Sequence, residues 1–394
     1  MKAFKVIVGI FINMMIGIFL TAPFGIPVVG AILGITGTFV GGPAGSLMAG
    51  LALTRLQEFR SMYNSQYDRN EVKRSEYGAL EFFQKETDRM GSIVNDDLKR
   101  KARASMGSDL KIPVMDKKTV TLGASRTLTI ADDENESKLV TVSFTTLSGG
   151  FTMYPARYFN NDMAYQDHYN RHLQELLVAF AEAIEDLCVA KLSAVKSQVN
   201  NSGLGYTFTN NQFELGNAQK NLFFSDIPVI LKENKFFGPG MNCIANFTTQ
   251  SFINFLSEQG PANNTNYGYQ FAGVDYYYTN NIANAADQVS TFYFCPNNTV
   301  GILTRNEPDA LANTRLPDGH EWDTGLVPIV NLPMDLYYYP GAVDASSLDG
   351  STAHLTRTHK EAFGFSIDVA LVSAYNSDAA TYPSQLFKAQ IAST

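Results

Sequence analysis

The hydrophobic and polar positions divide this chain into five stretches of different character. From Val6 to Thr54 there is no Asp, Glu, Lys or Arg, although Lys2 and Lys5 precede the stretch and Arg55 and Arg60 follow it. Residues 55–106 are strongly charged. Their apolar positions Leu80, Phe83, Met90, Ile93 and Leu98 recur at mixed three- and four-residue spacings, which predicts helix weakened or interrupted at Gly78 and Gly91. A short apolar lead-in, Ile112-Pro113-Val114, then opens a strand-like alternation over residues 117–147. Val120, Leu122, Leu128 and Ile130 fall on one arm of the predicted hairpin, and Leu139, Val140, Val142 and Phe144 on the other. The connection from Asp132 to Glu136 is acidic and predicted to be solvated. An aromatic elbow, Phe151 to Pro155, leads into the clearest signal in the chain. Leu173, Leu176, Leu177, Phe180, Ile184, Leu187, Cys188, Leu192 and Val195 follow a 3.6-residue period, predicting one helix over about 160–199. Asn160 or Asn161 is the N-cap candidate, with Asp162 near the first turn, and Asn200 to Gly203 supplies the stop. At about 1.5 Å per residue such a helix is some 60 Å long.

Beyond Thr207 the pattern is mixed. Asp226 to Leu231 reads equally as helix or strand, and Asn242 to Asn246 as a buried strand. Thr248 to Gln259 reads as a helix ended by Gly260-Pro261. Residues 261–291 read as loops with short strands. Thr291 to Phe294, Val300 to Leu303, Leu326 to Asn331 and Leu336 to Tyr339 read as strands, and Phe363 to Val372 as the last long one. Pro308 to His320 is a polar loop. No repeat and no linker between independent domains is visible. The fold class is α+β.

Composition narrows the function. The chain has 394 residues, 45% hydrophobic and 17% charged, with 27 Phe and 19 Tyr, and can bury surface against neighbours as well as in its own core. Its net charge of −8 gives no general attraction to nucleic acid. Cys188, Cys243 and Cys295 are scattered, without metal spacing, and fit a reducing compartment.

Candidate chemistry is thin. His168, His172 and Glu175 share a helical spacing that could hold a metal, but they fit a polar helix face better. His320, His354 and His359 have no paired nucleophile motif. Glu307-Pro-Asp309 and Asp318-Gly-His-Glu321 could do acid–base work or bind calcium, and read more simply as polar turns. Gly41 to Ser46 lacks the ending of a phosphate loop. The sequons at Asn246 and Asn297 are expected by chance in an Asn-rich chain. No nucleophile elbow, dinucleotide fingerprint or Walker motif occurs. An enzyme is therefore not expected, and no cofactor or metal is implied.

The apolar segment 1–54 has three readings. It resembles a signal peptide up to Leu20-Thr21-Ala22, but Pro23 follows directly and the apolar run continues. It is long enough for two membrane spans, so membrane contact by residues 6–54 is open, although Gly30, Gly34, Gly37, Gly41, Gly42, Pro43 and Gly45 crowd its second half. The third reading is an arm packed inside an assembly or removed during its maturation, or a start codon assigned too early, with Met14, Met15 and Met48 as other starts. The third fits best, because the rest of the chain shows no membrane or secretion logic.

A protruding hairpin that feeds a long helix, followed by an α/β region and returning strands, resembles the Hong Kong 97 family of tailed-phage major capsid proteins. The resemblance covers roughly residues 75–375 and rests on the order of parts. It implies a helical N-terminal arm (55–112), an extended hairpin loop (113–150), a peripheral domain with the spine helix (151–219 and 333–394) and an axial domain (220–332). Val300 to Ala310 looks like a late axial strand and loop. The family builds hexamers and pentamers of an icosahedral head enclosing double-stranded DNA, without sequence-specific binding, and works with scaffold and portal proteins. The resemblance thus implies a virion protein, assembled in the host cytoplasm. A long two-stranded arm is unstable alone in water, an independent reason to expect an oligomer.

Two sets of opposite charge are candidate inter-subunit contacts: Lys99, Arg100, Lys101 and Arg103, and Asp132, Asp133, Glu134 and Glu136. The basic set also reads as a solvated helix end or as a DNA- or scaffold-facing patch. Some members of the family crosslink a hairpin Lys to an Asn. Lys117 and Lys118 stand at the hairpin base, so that chemistry is not carried over. The alternatives are an encapsulin-like nanocompartment shell and a membrane-anchored or secreted surface protein.

Overall fold

A computed structural model describes residues 77–105, 109–115, 137–155, 162–216, 219–238, 240–259, 273–306, 321–327, 330–344, 357–376 and 378–392. The apolar segment 1–54, the acidic connection 132–136 and the polar loop 308–320 lie outside the described residues. The described residues form two compact units from interleaved segments, the first drawn from 148–178 and 306–367 and the second from 77–147, 179–305 and 368–392.

In the second unit the expected charged helix is two helices, α1 (Gly78–Asp88) and α2 (Asp96–Ala104). Gly91 makes the break: its φ of +80° is left-handed, a conformation glycine adopts without strain. Gly78, read from sequence as a weak point, instead starts α1. A Cβ there would stand 2.2 Å from the Tyr278 carbonyl oxygen, so glycine lets the helix approach a strand closely. Met90, placed on the apolar face by its spacing, falls after the helix and is 96% exposed.

Strand β1 (Leu110–Met115) pairs antiparallel with β2 (Ser137–Val142), from Leu110↔Val142 to Met115↔Ser137. The apolar lead-in is therefore already part of the pair. The next strand, β3 (Thr145–Met153), belongs to another sheet.

Helix α3 (Asp162–Val195) has 34 residues, or about 51 Å. It ends short of the expected Asn200–Gly203 stop. The Ser197 amide donates instead to the Leu386 carbonyl at 2.7 Å, and the Ser384 amide donates to the Ser197 hydroxyl, so pairing with residues 384–386 replaces the helical ladder.

The core of the second unit is a six-stranded sheet, ordered β4 (Thr207–Thr209), β5 (Gln212–Leu215), β13 (Phe387–Ala392), β8 (Gln288–Pro296), β6 (Met241–Asn246) and β7 (Val274–Thr279). The β5–β13 and β6–β7 pairs are parallel. Asn210 and Asn211, with φ of 51° and 61°, turn the β4–β5 hairpin as a left-handed pair, the geometry that matches strand twist. Helix α4 (Lys220–Glu233) settles the ambiguity around Ile227. Phe223, Phe224, Ile227, Ile230 and Leu231 bury one helical face, and this burial outweighs the bond lost at Pro228, a loss of about 3 kcal/mol. Helix α5 (Phe247–Gln259) matches its expected span. Phe213, Phe223, Phe224, Phe292, Phe294 and Phe387 are fully buried together and form an aromatic centre to this core.

The first unit contains β10 (Glu321–Val327), β11 (Leu332–Asp344), most of β12 (Arg357–Ser373) and most of β3, with antiparallel β10–β11–β12 pairing. The expected strand Leu326–Asn331 straddles a turn, since Asn331 is left-handed at φ 50° and β11 starts after it. Met153, Tyr165 and Phe363 form a small core with Phe151, Tyr169 and Tyr338. The Tyr165 hydroxyl donates to the buried Glu361 carboxylate. The last rungs of β12 lie in the second unit, where Asp368–Ser373 pairs with β9 (Val300–Arg305).

Candidate subunit interface

Helix α2 carries the basic set. The Asn95 side chain accepts from the Leu98 amide at 2.8 Å, capping the helix, and Asp96 and Asp97 favour its positive end. Leu98 and Ala102, four apart, bury against Val94, Leu110, Val142, Leu303, Ala370 and Val372. The same period turns Arg100, Lys101 and Arg103 to solvent and leaves Lys99 half-buried. Arg100 pairs with Asp97 at the surface, where such pairs contribute little. No described carboxylate pairs with Lys99, Lys101 or Arg103. Asp132, Asp133, Glu134 and Glu136 lie outside the described residues.

The β1–β2 pair shows how far its own unit covers it. Leu110 and Val142, facing each other at the base, are buried. The next rungs on that face, Ile112, Val140 and Val114, are only half-buried, and Leu139 on the other face is 67% exposed. Burial thus fades along the arm while the apolar pattern continues. Beside this face is a cavity of about 770 Å³, whose apolar lining includes Ile112, Val140, Leu98, Leu371 and Val372.

Two buried carboxylates anchor α1. Tyr77, its N-cap residue, makes no side-chain cap bond. Glu185 of α3 accepts from the Ala79 and Leu80 amides at 2.9 and 2.6 Å and caps the helix from 105 residues away. Glu86 accepts from the Asn298 amide and from Asn242 Nδ2, and pairs with Arg89 at 3.1 Å. Burial raises both carboxyl pKa values above the usual range, against hydrogen bonds that pull them down. Sequence reading missed both residues. The available signal was a lone acid, Glu185, on the apolar stripe of α3.

Among the described residues, the other candidates are not drawn into a common site. His168 and His172 lie on exposed α3 surface with rings 6.2 Å apart, and His172 Nδ1 is 3.8 Å from Glu175. No group of three or more His, Cys, Asp or Glu among the described residues could hold a metal. Glu307, Asp309, Asp318, His320 and His354 lie outside the described residues, while Glu321 and His359 fall on β10 and β12. Cys188, Cys243 and Cys295 are buried and free. No helix among the described residues is long and apolar enough to cross a membrane.

No family model matches the chain, and no curated protein does. Solved structures to which it is similar include phage and GTA capsids. The capsid of the cyanophage P-SCSP1u is 10% identical, with a TM-score of 0.41 over 73% of this chain and 84% of that one. The capsid of the empty GTA particle is 12% identical, with a TM-score of 0.42 over 82% and 92%. The capsid of the cyanophage Pam1 is 12% identical, with a TM-score of 0.41 over 73% and 85%.

Proposed function

We propose that this chain is the major capsid protein of a tailed phage, a shell subunit of the Hong Kong 97 type. The observation that carries the reading is the β1–β2 arm. Its base is buried by its own unit, its apolar face is only half-buried from the next rung on, and a two-stranded ribbon is not stable in water without a partner surface. A neighbouring subunit supplies that surface. The 34-residue helix after the arm and the aromatic α/β sheet fit the same order of parts.

On this reading residues 55–112 are the N-terminal arm, 113–150 the extended loop, 151–219 and 333–394 the peripheral domain, and 220–332 the axial domain. Subunits form hexamers and pentamers. Lys99, Arg100, Lys101 and Arg103 meet the acidic residues Asp132, Asp133, Glu134 and Glu136 of a neighbour, which sets register more than affinity. Scaffold and portal proteins are further partners. The shell, assembled in the host cytoplasm, encloses double-stranded DNA without reading it; a container need not bind its contents tightly, so the net charge of −8 does not oppose this. The role is structural, with no reaction to catalyse.

Sedimentation velocity over a range of concentrations tests the reading. The intact chain is expected to form hexamers, pentamers or larger closed species. A variant with residues 116–136 replaced by a short turn is expected to remain a folded monomer. An intact chain that stays monomeric at every concentration would contradict the proposal.

A further inference from the structure

Between β2 and β3 the chain changes sheets within two residues, Ser143 and Phe144, which belong to neither strand. Apolar packing of Leu110 and Val142 holds the arm's base but is non-directional. Without another constraint this link would act as a hinge.

One ion pair gathers both legs of the arm at that point. Arg305 and Asp368 are directly opposite in the β9–β12 ladder, and Arg305 Nε donates to Asp368 Oδ2 at 2.7 Å. Their side chains are 11% and 14% exposed, so solvent screens the pair far less than a surface bridge. The guanidinium lies over the Phe144 ring, 4.2 Å from its centre. It also donates to the Ser105 carbonyl at 3.2 Å, and Ser105 closes α2 on the way into β1. The other Asp368 oxygen, Oδ1, accepts from the Thr146 hydroxyl at 2.6 Å, at the start of β3. The entering leg, through Ser105, and the leaving leg, through Phe144 and Thr146, therefore end on the same two side chains.

We propose that Arg305 is the positioning residue of the arm. With Asp368 it fixes the direction in which β1–β2 leaves the second unit, and that direction decides whether one subunit can engage the next. The inference rests on the shell reading for its last step. The residue type fits the task. A guanidinium is planar, stacks on a ring and presents several donors in fixed geometry, so it can serve Phe144, Ser105 and Asp368 together. A lysine keeps the charge opposite Asp368 but cannot make all three contacts.

The test compares the full chain with its Arg305→Lys and Arg305→Met variants by amide hydrogen exchange and by electron microscopy. In Arg305→Lys, exchange in β6 is expected to stay as in the parent, while β1 and β2 exchange faster by about tenfold or more as the arm is released. Closed particles are expected to become rare or misshapen. Arg305→Met is expected to show the larger effect. Should it also lose protection in β6, and so fail to fold, Arg305→Lys decides. Parent-like protection of β1 and β2 in Arg305→Lys would overturn the proposal, as would fast exchange with normal particles. A parent chain that forms no particles would remove the shell reading, while the exchange comparison would still decide whether Arg305 holds the arm.

Discussion

Glu185 supplies the cap that α1 lacks, and removing it leaves the Ala79 and Leu80 amides buried without acceptors. Glu185→Ala is expected to lower stability by about 2 kcal/mol or more in urea unfolding, and Glu185→Gln by less, because it keeps one acceptor oxygen. The same carboxyls give a pH dependence. Burial raises the folded pKa of Glu86 and Glu185 above 4.5, so the folded state holds protons that the unfolded chain has released. Their contribution is full below about pH 4.5 and declines as pH rises through the raised values. The parent should therefore gain stability on acidification relative to a Glu86→Gln, Glu185→Gln variant. A pH-independent difference between the two would contradict this account. Burial also raises the Cys188, Cys243 and Cys295 thiols, so none should react with a thiol reagent until denaturant is added.

At the level of elements, the proposed pairing of the two charge sets can be tested by charge reversal. If Asp132, Asp133 and Glu134 meet the basic face of α2 on a neighbour, reversing them to Lys should impair assembly and leave the monomer's melting unchanged. Normal particles from that variant would rule the pairing out. The elements differed in how plainly the sequence announced them. Helix α3 was legible because its apolar stripe repeats over many turns, and β6 because Cys243, Ile244 and Ala245 form a short apolar run. The break between α1 and α2 was legible at Gly91 only as a weakness, since spacing alone let Met90 continue the stripe. The end of α3 was misplaced because Ser197 pairs with Leu386, a contact remote in sequence. Strand β13 was not anticipated: Phe387, Ala389 and Ile391 alternate, but six residues near a terminus are a short signal. The anchors Glu86 and Glu185, and the Arg305–Asp368 pair, depend on tertiary geometry that no local pattern encodes.

At the scale of the whole molecule, the proposed reading is that of a subunit completed by copies of itself, and it rests on a partly covered arm beside a 34-residue helix and an aromatic sheet. Residues 1–54 carry no charge after Lys5, so their presence should bear on whether that completion occurs. The most direct test is negative-stain electron microscopy of the purified recombinant protein, prepared with and without residues 1–54. Closed polyhedral shells or capsomer rings are the predicted result. Shells from the shorter chain alone would mark the segment as one that is removed or is not part of the subunit. A detergent-dependent monomer from the full chain, with no shells from either preparation, would contradict the account.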